Sequence, residues 1–371
     1  MRRFRLSTLS IRRPVLCSQH LCSQHLCIPP TKRFVLGTTR GQMSSQREDS
    51  IPHELRTAAE PRQNRLFPVN LLHVEQVNPS VRLLQLAIPD QDDGAQPFSF
   101  LPGQWLDVHI PSVAHAGGFT ITSTPADAQK LPLPEHPSEV VGSETEVNSS
   151  LGRAPYVELA VQDSPSNPSA AWLWKPKDEI LGKTLNIRVG GSFVWPPSSI
   201  DTRHIKNVIL IAGGVGINPL ISILSHLHNQ TQETHPLNIH FLYSTRLPKG
   251  PETAPLGSLL DQILFLPRLR RIIRSQLQSH RLRISLDLFL TDLASADDVS
   301  SQTPADLTIF PRRITEHDLH SAVLGGDGKS DTQETIAYVC GPPGMTDEMV
   351  AVLQEIIGKD GAERVFFEKW W

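Results

Sequence analysis

Val208-Ile209-Leu210-Ile211-Ala212-Gly213-Gly214-Val215-Gly216-Ile217-Asn218-Pro219 decides the fold. Five consecutive apolar residues make a strand covered on both faces, and strands of that kind belong to parallel sheets. The glycines that follow permit a tight turn. They also let the backbone come close to a phosphate, whose charge meets the free N–H groups at the start of the next helix. Pro219 stands where the usual dinucleotide fingerprint has its last glycine; at the first helical position its missing N–H costs nothing. A bare structural glycine turn fits the same letters, and the position directly after a strand is what favours dinucleotide binding. A membrane span over 208–224 is excluded, because the glycine pair, Asn218 and Pro219 interrupt a run that is shorter than the roughly 20 apolar residues required.

Downstream, strand-like runs at 239–243, 282–290, 336–339 and 365–367 alternate with helical stretches at 220–228, 259–278 and 347–357. Such alternation predicts a parallel sheet with crossover helices over 203–371, with surface insertions at 294–306 and 324–334. Upstream the grammar differs. Residues 66–77 and 81–88 flank the turn signal Asn78-Pro79-Ser80 and read as a hairpin. After Pro102-Gly103 the text alternates, with Trp105, Asp107 and His109 on one face and Leu106, Val108 and Ile110 on the other. Further strands at 156–161 and 184–189, with one helix at 170–174, predict a small antiparallel barrel over 65–200 carrying a solvated insertion at 126–154.

The chain of 371 residues, 39% hydrophobic and 20% charged, is long enough for two such domains. Its net charge of −3 joins two unlike pieces. The first 50 residues hold nine Lys and Arg against Glu48 and Asp49, whereas the remainder holds 26 basic and 36 acidic residues. An Arg-rich, Ser-rich start without acids has the composition of a mitochondrial transit peptide, here over 1–48; a basic tail for nucleic acid or membrane surfaces is the alternative. A secretory signal is excluded because Arg12, Arg13 and Pro14 interrupt any apolar run. Within this leader Cys17-Ser-Gln-His20-Leu repeats as Cys22-Ser-Gln-His25-Leu and closes on Cys27. The spacing fits neither zinc nor iron–sulfur ligation, so it reads as a short duplication and no metal is expected. The acidic remainder argues against nucleic acid and favours a basic redox protein as partner.

Two further stretches bear chemistry. Tyr338-Val339-Cys340-Gly341-Pro342-Pro343-Gly344-Met345 follows a strand, and ligands of open α/β sheets lie beyond the carboxyl ends of strands. Taken alone, Cys340 reads as a small buried hydrophobe. Phe366-Phe367-Glu368-Lys369-Trp370-Trp371 reads either as a docked core edge or as a flat ring shielding a flavin or nicotinamide face.

Taken in order, Pro102-Gly103-Gln104, then Gly117-Gly118-Phe119-Thr120-Ile121-Thr122-Ser123-Thr124-Pro125, then Gly213-Gly214-Val215-Gly216 with Pro219, then 340–345, then a carboxylate before a terminal aromatic, the chain from about Arg65 to Trp371 resembles the ferredoxin–NADP reductase superfamily. Within it, the Gly-Gly-Phe segment and Glu-Lys-Trp-Trp end are similar to the oxidoreductase NAD-binding domain-containing proteins, a mitochondrial branch. The resemblance implies an antiparallel Greek-key flavin-binding barrel followed by a Rossmann-like parallel-sheet nucleotide-binding domain. It also implies a flavin-dependent oxidoreductase using FAD, with FMN as the alternative, and NADH or NADPH, with NADH favoured.

By the same resemblance, Phe119 stacks on the isoalloxazine and Thr120 sets its hydroxyl near flavin N5, while Gln104, Gly117, Gly118, Ile121, Thr122, Ser123 and Ser169 line the flavin. Gly213, Gly214, Val215, Gly216 and Pro219 hold the nucleotide phosphates, with Ser244 and Arg246 near the ribose. Cys340, Gly341, Pro342, Pro343 and Met345 form the second loop, Cys340 and Glu368 flank the nicotinamide, and Trp371 covers the flavin face. Hydride then passes directly from nicotinamide to flavin, and the protein supplies alignment and exclusion of water. Two departures stand out. Gly117 replaces the family's phosphate-holding Arg, which removes a charge-assisted hydrogen bond of about 1.5–3 kcal/mol. The family's second phosphate loop maps only loosely on Asn167-Pro168-Ser169-Ala170. Gly117 motivates a competing reading, a non-enzymatic nucleotide-binding or assembly protein that keeps the fold without flavin. The electron acceptor is unknown, and without a C-x4-C-x2-C module an oxygenase reductase is disfavoured.

Overall fold

In the computed structural model the described residues are 51–370, apart from 90–96, 131–153, 231–235, 250–254, 280, 294–306 and 326–330. The leader 1–48 with its cysteine repeat, Trp371, the insertion 294–306 and most of the insertion 126–154 lie outside them.

Six antiparallel strands, β1 (Phe67–Asn78), β2 (Val81–Ala87), β3 (Trp105–His109), β4 (Gly117–Thr120), β5 (Tyr156–Gln162) and β6 (Thr184–Gly190), lie in the order β4-β3-β6-β1-β2-β5. Period-two alternation drives them: Phe67, Val69 and Leu71 of β1 turn inward while Pro68 and Asn70 face solvent. The Asn78 carboxamide oxygen accepts from the N–H and hydroxyl of Ser80 at 2.9 and 3.0 Å and fixes the first hairpin turn. The two edges meet where Ile121 pairs with Leu159 and the Thr122 N–H donates to the Glu158 carbonyl at 2.8 Å, which curls the sheet toward a closed barrel.

The second sheet holds β7 (Asn207–Gly213), β8 (Leu237–Thr245), β9 (Leu282–Leu290), β10 (Thr308–Phe310), β11 (Thr335–Gly341) and β12 (Val365–Lys369), all parallel, in the order β10-β9-β8-β7-β11-β12. Every residue of β7 and β11 is buried. The order reverses between these two strands, and that reversal opens a crevice at their carboxyl ends.

The helices are α1 (His53–Arg56), α2 (Pro168–Leu173), α3 (Lys177–Ile180), α4 (Ile217–Asn229), α5 (Leu256–Asp261), α6 (Leu266–Ser279), α7 (Glu316–Leu324), α8 (Pro343–Ile357) and α9 (Gly361–Arg364). The helix expected over 259–278 is two, broken at Phe265, whose φ is 59°. Because α4 starts at Ile217, Pro219 is its third residue; its missing N–H still costs nothing, since first-turn N–H groups have no partner within the helix. Among the described residues no helix is long and apolar enough to cross a membrane.

The two sheets share a polar seam. The Ser222 hydroxyl donates to the Ser123 carbonyl at 2.7 Å, the Asn218 amide to the Ala160 carbonyl at 3.1 Å, and the Tyr338 hydroxyl to the Val194 carbonyl at 2.8 Å.

Ordered packing begins before residue 65, where the sequence places the start of the barrel. An arm over 53–63 carries α1 and runs along β6: Arg62 bridges Gly190, the Gly191 N–H donates to the Pro61 carbonyl at 3.0 Å, and the Gln63 N–H to the Val189 carbonyl at 2.9 Å. Its anchor is Asp107, wholly buried, which accepts from Arg62 Nε at 2.9 Å and Arg188 Nη2 at 2.7 Å, with His53 Nε2 at 3.3 Å. Burial alone would raise this carboxyl. The contacts from His53, Arg188 and Arg62 more than reverse that and hold it well below the ordinary carboxylate range.

Candidate functional site

A cleft of about 620 Å³ runs between the barrel and the parallel sheet. The barrel presents Gly118, Phe119 and Thr120 at the end of β4, the parallel sheet presents Val215, Pro219, Cys340 and Glu368, and the arm presents His53, Arg56, Thr57 and Glu60. Gly118, Phe119, Thr120, Cys340 and Glu368 come from strand ends, so their positions are set by rigid ladders, while Val215 and Pro219 follow β7 in the turn and in α4.

The glycines of the first turn serve protein contacts. A Cβ on Gly216 would collide with the main-chain carbonyl of Cys340, and one on Gly213 would lie 2.6 Å from Met345 Sδ and 2.8 Å from Pro342. The loops after β7 and β11 are thus packed against each other, and that contact by itself requires Gly213 and Gly216 to be small. Gly214 has φ +54°, a conformation that favours glycine on backbone grounds. Trp370 lines the cleft and donates its indole N–H to the Gly213 carbonyl at 3.1 Å. The cover expected from Trp371 falls outside the described residues.

β11 and β12 pair Cys340 with Glu368. Cys340 is a free, buried thiol, pushed well up by desolvation and then by the neighbouring carboxylate. The Glu368 carboxyl is enclosed. Its Oε2 is buried with no hydrogen-bond partner among the described residues, and desolvation first, then Glu60, raises it to about 8. Since this folded value exceeds the ordinary 4.5, protonation favours the fold: the contribution is complete below about 4.5 and is lost as pH rises through about 8. Glu368→Gln has no proton to lose. Urea unfolding is expected to show it gaining about 2–4 kcal/mol on the wild type between pH 5 and 8.5; a pH-independent difference would mean that the carboxyl is ionised in the folded protein.

Other expected residues lie elsewhere. Ile121, Thr122 and Ser123 turn inward beneath the cleft because they close the barrel: the Thr122 hydroxyl donates to Glu158 Oε1 at 2.8 Å, the Ser123 hydroxyl accepts from the Glu158 N–H at 3.0 Å, and Arg268 pairs with the same Glu158 at 2.9 Å. Gln104 braces its own turn, donating to the Gly191 carbonyl at 3.0 Å and accepting from the Leu101 N–H at 2.8 Å. Ser169 is buried against Gly117 and donates to the His115 carbonyl at 3.3 Å. Pro342, Pro343 and Met345 start α8 behind the crevice, with Gly341 beside Gly213. Ser244 lies near the end of β8 and Arg246 just past it, both outside the cleft wall, with Arg246 exposed. Sequence reasoning missed the whole arm, and Trp105, whose indole meets His53 edge-on at 4.6 Å, gave the only hint of an aromatic aimed there.

The lining fits a flat group with polar edges: a half-buried Phe119 ring, the neighbouring Thr120, and two buried oxygens without partners among the described residues, Glu368 Oε2 and the accepting Asn218 Oδ1.

Comparison with known proteins agrees with this architecture. Residues 205–262 match the family model of the ferric reductase NAD binding domain. The Amycolatopsis cytochrome P450 reductase GcoB superimposes with a TM-score of 0.53 at 16% identity, covering 84% of this chain and 70% of that one. A ferredoxin NADP+ reductase from Neisseria gonorrhoeae, with bound FAD and NADP, gives 0.51 at 15%, covering 83% and 100%. Both show the same fold, a flavin-type barrel joined to a Rossmann-like sheet. Oxidoreductase NAD-binding domain-containing protein 1 from Bos taurus is 30% identical over 346 residues, 90% of this chain and 89% of that protein, and its Xenopus tropicalis counterpart is 29% identical over 98% and 92%. With that identity across nearly the full length of both chains, the protein belongs to the oxidoreductase NAD-binding domain-containing protein 1 family.

Proposed function

We propose that the protein is an NAD(P)H-dependent flavin oxidoreductase that takes FAD, or FMN, into the cleft and prefers NADH. The observation that carries this reading is the meeting of Phe119 and Thr120 from the barrel with Cys340 and Glu368 from the parallel sheet in one cleft. When bound, a flavin there would accept electrons from the reduced nicotinamide and pass them to an acceptor. Phe119 would form the face on which the ring lies, and Thr120 would offer a hydroxyl at its edge. Val215 and the half-buried Trp370 would keep water from the opposite side. Cys340, a neutral thiol, would present a small apolar contact to the nicotinamide. Glu368, with its raised pKa, would remain largely protonated at pH 7 and able to donate a hydrogen bond.

The NADH preference rests on the carboxyl ends of β8 and β9. Both oxygens of Asp292 accept from the Leu247 N–H, at 3.1 and 3.2 Å, beside Ser244 and Arg246. A carboxylate there repels the extra phosphate of NADPH. The acid-free leader supports action in mitochondria, and the acidic body supports a basic redox protein as acceptor.

Purified residues 48–371 are expected to be yellow and to bleach on anaerobic addition of NADH, with ferricyanide reduced faster by NADH than by NADPH. Colourless protein to which added flavin does not bind would sink the enzyme reading in favour of a nucleotide-binding or assembly role.

A further inference from the structure

We propose that Asn218, in the first turn of α4, is a specificity residue of the cleft: its carboxamide oxygen accepts the hydrogen bond of the imide N–H on the ring of the bound flavin. The inference rests on the flavin reading above and gives a role to a residue that the phosphate-turn reading leaves without one. Asn218 walls the cleft and is 7% exposed. Its Nδ2 donates to the Ala160 carbonyl at 3.1 Å. A carbonyl only accepts, so the amide nitrogen has to face β5, and Oδ1 is left as a pure acceptor. That oxygen is buried and has no hydrogen-bond partner among the described residues. A buried acceptor without a donor is destabilising, and here the space beside the residue is a cleft, so the donor is expected to arrive with a ligand.

The backbone holds this acceptor in place. Asn218 is the second residue of α4, directly behind the wholly buried β7, and Gly216 is wedged against the Cys340 carbonyl. The bond to Ala160 ties the side chain to the barrel. Ile121 bridges Leu159, so Ala160 stands beside the end of β4 that brings Phe119 and Thr120 to the cleft. Asn218 therefore serves the ring that the barrel would hold. An oxidised flavin ring has a single N–H, that of its imide, and its other polar atoms accept. An acceptor that cannot turn into a donor selects that one edge, while the Thr120 hydroxyl is free to donate to another. Fixing the acceptor before the ligand arrives lowers the entropy lost on binding.

The test is a cycle between one hydrogen of the ligand and one side chain. Riboflavin and imide-methylated riboflavin are titrated into wild type, Asn218→Leu and Asn218→Thr by flavin fluorescence, with thermal midpoints recorded alongside. Asn218→Leu is expected to weaken riboflavin about tenfold more than it weakens the methylated flavin. Asn218→Thr, whose hydroxyl both donates and accepts, should lie between. Leucine keeps nearly the bulk of asparagine, so crowding by the methyl group and loss of the Ala160 contact cancel in the comparison. If Asn218→Leu fails to fold, or the methylated flavin does not bind, alkaline titration of riboflavin on the wild type decides. The imide should ionise at higher pH than in free riboflavin, because a fixed acceptor favours its protonated form; ionisation at the same pH or lower overturns the assignment. Equal loss for both flavins also overturns it and leaves the flavin reading intact. In that case, a loss for NADH that its acetylpyridine analogue, which lacks the carboxamide N–H, does not share would give Asn218 to the nicotinamide instead. Wild type that binds neither flavin overturns both readings.

Discussion

Asp107→Asn will lower unfolding stability by about 3–5 kcal/mol and free the arm from the barrel. Removing the charge leaves the Arg62 and Arg188 guanidiniums, now without the carboxylate at 2.9 and 2.7 Å, facing a neutral amide in a wholly buried position. The loss is that of orphaned charge, and it exceeds what the ion pairs themselves add over an apolar filling. Arg62 also carries the arm, so limited proteolysis should cut between 53 and 63 in the variant and spare the wild type. Urea titration at pH 7 measures the first effect. A loss below about 1 kcal/mol would mean that the network is wetter than its geometry shows.

Gly216→Ala is the second large effect. Gly216 has φ −62° and ψ −7°, which alanine adopts freely, so the backbone itself does not object. The obstacle is steric: the new methyl would collide with the Cys340 carbonyl and lie 2.9 Å from the Gly341 N–H, both main chain and both at the end of a buried strand. To make room, the loop after β7 must part from the loop after β11. Overpacking of this kind costs about 1–3 kcal/mol. On the proposed function the nicotinamide would align here, and a displacement near 1 Å would then cost about a hundredfold in turnover. NADH-dependent ferricyanide reduction should fall by that factor while far-UV dichroism keeps its native shape. Unchanged turnover would remove the crevice from the chemistry.

Both sheets were legible in the letters because their signals are strong: apolar runs on either side of the Asn78-Pro79-Ser80 turn in β1 and β2, alternating letters in β3, and an unbroken apolar run in β7. In β3 the alternation does not carry over to burial, since Asp107 is as buried as its apolar neighbours. β10 was not legible, for three residues cannot show a period, and α7 has too weak an apolar stripe to stand out between two insertions. The arm escaped for a different reason. Residues 53–56 bury no side chain fully, so hydrophobic patterning is blind to them, and their hold is polar and long-range. Motif order singled out the strand-end residues Phe119, Thr120, Cys340 and Glu368, which the fold brings to one cleft. The protein contacts that Gly117, Gly118, Gly213 and Gly216 make room for were not legible, because a glycine kept for an approaching protein atom and one kept for a ligand are written with the same letter.

The cleft draws Glu60 and Glu368, from near opposite ends of the described residues, into electrostatic reach of each other. Contacts so distant along the chain are slow to form, since the intervening loop must close before they return any energy. During synthesis the barrel and most of the parallel sheet can condense while β12 is still unmade. The cleft walled by the arm and by β12 can therefore close only after β12 has been made, and a chain halted shortly before Val365 would lack the Glu368 and Trp370 side of it.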